Sequence, residues 1–221
     1  MERHFRKMLV EREKEAKTLL CVGLDPLLEK MPARTRAFYK DDGNAVYFWM
    51  RTVVDATAEF ALMFKPQRAH WESIEGGIEA LRALVSYIHL EYPFIPVFLD
   101  CKRSDIDRTQ QQYRDAHFLM DGVDGMNYNG YMGSDTLKAL VDHKYPGRAL
   151  VGLGRTSNSS AWAVQDRILA DGRTVWEAMV GDILTWSREY NVLENAGVVM
   201  GAAHKDPDSP NEIYAHHLGK A

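Results

Sequence analysis

Six short apolar runs, each followed by a longer stretch with helical patterning, constrain this chain more than any other feature. The runs are LLCVGLD (19–25), ALMFKP (61–66), IPVFLD (95–100), GVDGMNYN (122–129), RALVGLG (148–154) and AGVVMGA (196–202). They are of strand length, rich in Val, Leu and Ile, and show little alternation, so both faces of the sheet must be covered. After Asn44, residues Trp49, Val53, Ala56 and Phe60 recur on one stripe with Phe48 beside them. Ile74, Ile78, Leu81, Leu84, Val85 and Ile88 form the clearest helical stripe in the chain. A further helix is expected from about Asp105 to Met120, and Ser134 is placed to cap a short one carrying Leu137, Leu140 and Val141. Residues 159–190 read as mostly helical, broken at Asp171-Gly172. Strands and helices in this alternation make an α/β fold with a parallel sheet.

Each run ends in something polar or unusual: Asp25, Lys65, Asp100 with Lys102, Asn127 with Asn129, Thr156-Ser157-Asn158, and Gly201. A (β/α)8 barrel gathers all such ends on one rim, whereas a doubly wound sheet gathers only those beside its switch point. The even spread favours a TIM (β/α)8-type barrel, a single domain over 1–221, with six of eight strands evident. The densest end is FLDCKRSDID, 98–107. On a regular strand Asp100 and Lys102 face one way and Cys101 the other. Two charges sharing a face at the end of a buried strand are expensive to desolvate unless paired, so the cluster reads as a site.

Composition excludes several classes. With 221 residues, 46% hydrophobic and 26% charged, the chain suits one globular domain. The net charge of −4 and the lack of any basic block argue against a nucleic-acid partner. Cys21 and Cys101 sit in apolar runs and read as small buried hydrophobes, not as a disulfide. The charged N-terminus MERHFRKMLVEREKEAK lacks the apolar core of a secretory signal, and no apolar run approaches the ~18 residues that span a bilayer. A cytoplasmic globular protein without a membrane partner is expected. His204, His216 and His217 lack metal-ligand spacing and read as surface residues, so no metal site is expected. Gly197 and Gly201 are too few for a dinucleotide fingerprint. The tryptophans at 49, 71, 162, 176 and 186 are expected to pack between helices and barrel, while Asn127, Asn129 and Asp135 are expected to position loops and caps.

The pattern D-x-K-x-x-D-I-x-x-T is present as Asp100, Lys102, Asp105, Ile106 and Thr109. It is accompanied in order by CVGLDP (21–26), FKPQ (64–67), NGYMGSD (129–135) and GRTSNSSA (154–161). Over about residues 5–205 the chain resembles the orotidine 5′-monophosphate decarboxylase family, in its longer bacterial branch. The resemblance implies cofactor-free decarboxylation in pyrimidine synthesis by a homodimer with shared active sites. It places Lys102 beside C6 of orotidine monophosphate as proton donor, Asp100 against the substrate carboxylate, and Asp105 and Thr109 across the subunit interface. Asp25 and Lys65 would bind ribose hydroxyls, Lys65 also joining the charge network. Ser157, with Thr156, would read the pyrimidine amide edge, and Ile106 would line the substrate site. The family's P-G-x-G-A-Q-G-G loop and the arginine of its last strand, which hold the phosphate, do not occur in this sequence. The chain therefore reads as a barrel incomplete at its C-terminal side. Two competing readings follow: a sister D-x-K-x-x-D enzyme acting on a sugar phosphate with Mg2+, and an inactive remnant.

Overall fold

The computed structural model describes residues 3–201, 205–206 and 209–213. Helix α1 (Phe5–Ala16) precedes β1 (Cys21–Leu24), and α2 (Ala33–Phe38) and α3 (Asp42–Thr57) lead to β2 (Met63–Pro66). Then come α4 (Arg68–Glu72), α5 (Gly77–Glu91), β3 (Phe98–Arg103), α6 (Asp107–Asp115) and a π-helical turn at Ala116–Met120. β4 (Gly125–Tyr128), α7 (Asp135–Lys138), β5 (Ala149–Arg155), α8 (Val175–Glu189) and β6 (Ala196–Met200) complete the alternation. A short antiparallel pair, β7 (Lys205–Asp206) and β8 (Ser209–Ile213), follows. β1 and β2 are parallel, with Gly23 opposite Lys65, and the remaining long strands are ordered β3-β4-β5-β6. β5 and β6 are also parallel. All six apolar runs thus form strands, each shorter than or offset from its run by a few residues.

The chain divides into two compact units. The first is Met1–Cys101, Gln111–Met126 and Asp142–Ala149; the second is Lys102–Gln110, Asn127–Val141 and Leu150–Ala221. In the first, Leu24, Phe64, Trp71, Leu81, Leu84, Ile88 and Leu99 are fully buried. The Trp71 indole donates to the Leu24 carbonyl at 2.9 Å, so its one polar atom is satisfied inside that core. In the second, Tyr128, Leu137, Leu140 and Ile183 are fully buried.

The stripe expected on α3 is wrong by one row. Val46, Met50 and Val54 face the core, Trp49 and Val53 are half-buried, and Phe60, past the helix end, is 57% exposed. The cause is a close approach of backbones: a β-carbon at Gly43 would lie 3.0 Å from the Gly76 carbonyl oxygen. That contact turns the Gly43 side of α3 inward, and Asp41, accepting from the Asn44 amide at 2.8 Å, fixes the helix start. On α5 the expected residues are buried, except that Ile78 is half-buried and Ile74 precedes the helix.

Four other expectations need correction. Residues 164–174 are not helical: an antiparallel bridge joins Ile168 to Thr174, and α8 begins only at Val175 under a capping box of Thr174 and Glu177. Ser134 stands before α7 with helical dihedrals, φ −63° and ψ −23°, and its side chain makes no capping bond. Capping needs extended backbone at that position. Trp162 is 67% exposed, on a 3-10 turn outside the core, whereas Trp71 and Trp176 are buried. The two cysteines carry free thiols and are half-buried, not fully buried. His204, His216 and His217 lie outside the described residues. Among the described residues no helix is long and apolar enough to cross a membrane.

Candidate active site

In the first unit, the parallel register of β1 and β2, together with the parallel bridges from Phe64 to Val97 and from Gln67 to Asp100, brings three charged residues together. Lys65 Nζ stands 3.8 Å from Asp25 Oδ2 and 3.6 Å from Asp100 Oδ2. Asp25 follows β1, and its other oxygen accepts the Gln67 amide at 3.0 Å, so the carboxylate is tethered on two sides. Gln67 is bridged in turn to Asp100 on β3. The Asp100 side chain is 15% exposed against 29% for Lys65, which leaves this lysine reachable from solvent. Burial pushes the nearby Cys21 thiol up, and the positive charge of Lys65 opposes that rise.

In the second unit, Lys102 is exposed and has φ +48°, in the left-handed region. The face-sharing expected of Asp100 and Lys102 assumed extended backbone throughout; a left-handed residue interrupts strand alternation, so that argument does not carry to Lys102. Its amide donates to Asn127 Oδ1 at 2.7 Å. Asp105 is half-buried and accepts the Ile106 amide at 2.9 Å. Ile106 is 41% exposed, and Thr109, early in α6, is exposed. α6 starts at Asp107, two residues later than expected.

Also in the second unit, the end of β5 is held by the segment 165–166. The Thr156 amide donates to Gln165 Oε1 at 2.8 Å, and Gln165 Nε2 donates to Thr156 Oγ1 at 2.7 Å. Arg155, 5% exposed, makes a two-pronged pair with Asp166 at 2.9 and 2.8 Å. Thr156 and Gln165 line a cavity of about 250 Å3 with Asn129, Tyr131, Trp176 and Met179. Ser157, two residues past the end of β5, is exposed. Asn127 and Gln165 escaped the sequence reading as site residues. Asn127 had a signal, a carboxamide inside an otherwise apolar run; Gln165 had none.

The family model described as Orotidine 5'-phosphate decarboxylase / HUMPS family matches residues 18–215. The chain belongs to this family. Among curated relatives, the orotidine 5'-phosphate decarboxylase of Ralstonia pickettii (strain 12J) is 36% identical over 199 residues, 90% of this chain and 69% of the relative. That of Janthinobacterium sp. (strain Marseille) is 34% identical over 197 residues, 89% of this chain and 67% of the relative. The chain thus spans about two thirds of the length of these relatives. The solved OMP decarboxylase of Leishmania donovani superposes with a TM-score of 0.76 at 30% identity, covering 91% of this chain and 72% of that one. The UMP synthase of the same organism gives 0.75 at 31% identity, covering 90% of this chain and 40% of that one. The fold is accordingly the TIM-barrel type of the orotidine 5'-phosphate decarboxylase family, as the strand-end pattern implied.

Proposed function

We propose that the chain converts orotidine 5'-phosphate to uridine 5'-phosphate by cofactor-free decarboxylation. The observation that carries this reading is the family's D-x-K-x-x-D-I-x-x-T pattern lodged at the end of β3 in a chain of that family. In the reaction the bond from C6 to the carboxylate carbon breaks, its electron pair stays on C6, and CO2 leaves. Lys102 then gives C6 a proton and is recharged from solvent. No delocalising group accepts the electron pair, so fixed charge must stabilise it. Asp100 would destabilise the substrate carboxylate relative to the transition state. The ion-paired Lys65 and Asp25 would hold ribose hydroxyls, and their partial exposure suits that role. Thr156 and Ser157 would read the pyrimidine edge beside the small cavity, with Ile106 against the substrate.

Asp105 and Thr109 would reach the site of a second subunit; the exposure of Thr109 and Ile106 supports contact with a partner. The test is an ultraviolet assay on orotidine 5'-phosphate with and without a chelator. Turnover indifferent to chelator is expected. Chelator-sensitive activity on a pentulose phosphate, with none on the nucleotide, would overturn the reading in favour of a sister enzyme.

A further inference from the structure

Lys102, one residue before the end of β3, holds a conformation that its own β-carbon disfavours. A non-glycine residue holds such a backbone only where its surroundings over-determine it, and these places cluster at functional sites. Here the surroundings include three hydrogen bonds to the end of β4, all within the second unit. The Lys102 amide donates to Asn127 Oδ1 at 2.7 Å, the Asn129 amide to the Arg103 carbonyl at 2.8 Å, and the Ser104 hydroxyl to the Asn129 carbonyl at 3.3 Å. Asn127 is 3% exposed and sits between Met126 and Tyr128, both fully buried. A carboxamide in that setting is costly unless bonded, and an apolar side chain would serve better if strand packing were the position's only role.

We propose that Asn127 is a positioning residue for Lys102: its carboxamide oxygen holds the left-handed turn that aims the ammonium. This deepens the decarboxylase reading and rests on it for the role of Lys102. The ammonium rides on a flexible stem whose origin and initial heading are the Cα–Cβ bond, and that bond is set by the backbone at 102. In this scheme Asn127 touches no reacting atom and acts through Lys102.

Two variants and one exchange measurement test it. Asn127→Leu removes the acceptor at similar volume, and Asn127→Asp keeps an oxygen where the Lys102 amide needs one. Asn127→Leu is expected to lower kcat about a hundredfold, the loss typical of a small misplacement, with KM little changed. Asn127→Asp should recover a large part of that loss. In wild-type protein the Lys102 amide should exchange slowly with solvent deuterium although its side chain is exposed; in Asn127→Leu it should exchange freely. A folded Asn127→Leu protein with wild-type kcat would overturn the proposal, as would free exchange at Lys102 in the wild type. Failure of the wild-type chain either to turn over orotidine 5'-phosphate or to bind uridine 5'-phosphate would sink the decarboxylase reading instead. The exchange rate at Lys102 still tests the hold of Asn127 on the turn in that case.

Discussion

At the scale of single residues, the strongest electrostatic commitment lies away from the proposed chemistry. Asp124, fully buried between β3 and β4 in the chain, takes Arg3 at 2.7 and 2.8 Å, Arg148 at 2.7 Å, His89 at 3.1 Å and the Val97 amide at 2.9 Å. Burial alone would push its carboxyl up; bonds from Arg3 and His89 outweigh that and hold it well below the usual carboxylate range. A carboxyl depressed in the folded state stabilises the fold above its unfolded pKa of about 3.9, and the stabilisation is lost as pH falls from there through the folded value. Asp124→Asn leaves the part-buried Arg3 and Arg148 facing a neutral group, and the expected loss is about 3 kcal/mol at pH 7. Urea unfolding at pH 7 and at pH 3 checks this: the gap between wild type and variant should narrow in acid. A variant as stable as wild type at pH 7 would refute the account. None of this was legible beforehand, because an aspartate in GVDGMNYN looks like a turn residue and its partner Arg3 lies 121 positions away. The triad of Asp25, Lys65 and Asp100 was legible, since each residue closes an apolar run. The left-handed turn at Lys102 was not, because nothing in D-C-K-R marks a positive φ.

At the scale of elements, strand positions were legible and helix faces less so. A parallel strand covered on both faces leaves an unbroken apolar run, so existence and approximate place can be read directly. α3 offers apolar residues on two adjacent rows, and only the approach of Gly43 to Gly76, 33 positions apart by their numbers, decides which row is buried. The 164–174 segment failed for a different reason. Val164 and Ile168 are apolar at helical spacing yet 54% and 67% exposed, while the capping box T-V-W-E was available to mark the true start. There the Thr174 hydroxyl accepts the Glu177 amide at 3.3 Å, and the Glu177 carboxylate accepts the Thr174 amide at 2.8 Å. Thr174→Ala should destabilise the protein by about 1 kcal/mol, and Thr174→Ser should be close to neutral. Denaturant midpoints measured for both variants decide it; an unchanged midpoint for Thr174→Ala would mean that packing of Trp176 and Ile183 alone sets where α8 begins.

At the scale of the whole molecule, the question is whether one chain suffices for a site. The second unit leaves Tyr131, Met132, Trp162 and Ile168 between 50% and 80% exposed. Thr109 is exposed and Asp105 half-buried, and the proposed exchange of these residues between two subunits needs both within a partner's reach. The consequence can be counted. If each site takes Lys102 from one subunit and Asp105 from the other, Lys102→Ala and Asp105→Ala chains are each nearly inactive alone. Mixed in equal amounts and allowed to exchange, half of the dimers are heterodimers, each carrying one doubly damaged and one intact site. About a quarter of the wild-type activity should therefore return if the dimer has two-fold symmetry. Sedimentation of the mixture establishes that exchange has taken place. Restoration near that fraction places Asp105 across the interface; exchanging, folded chains that restore nothing place Lys102 and Asp105 of one chain in the same site, and Asp105 is then not shared between subunits.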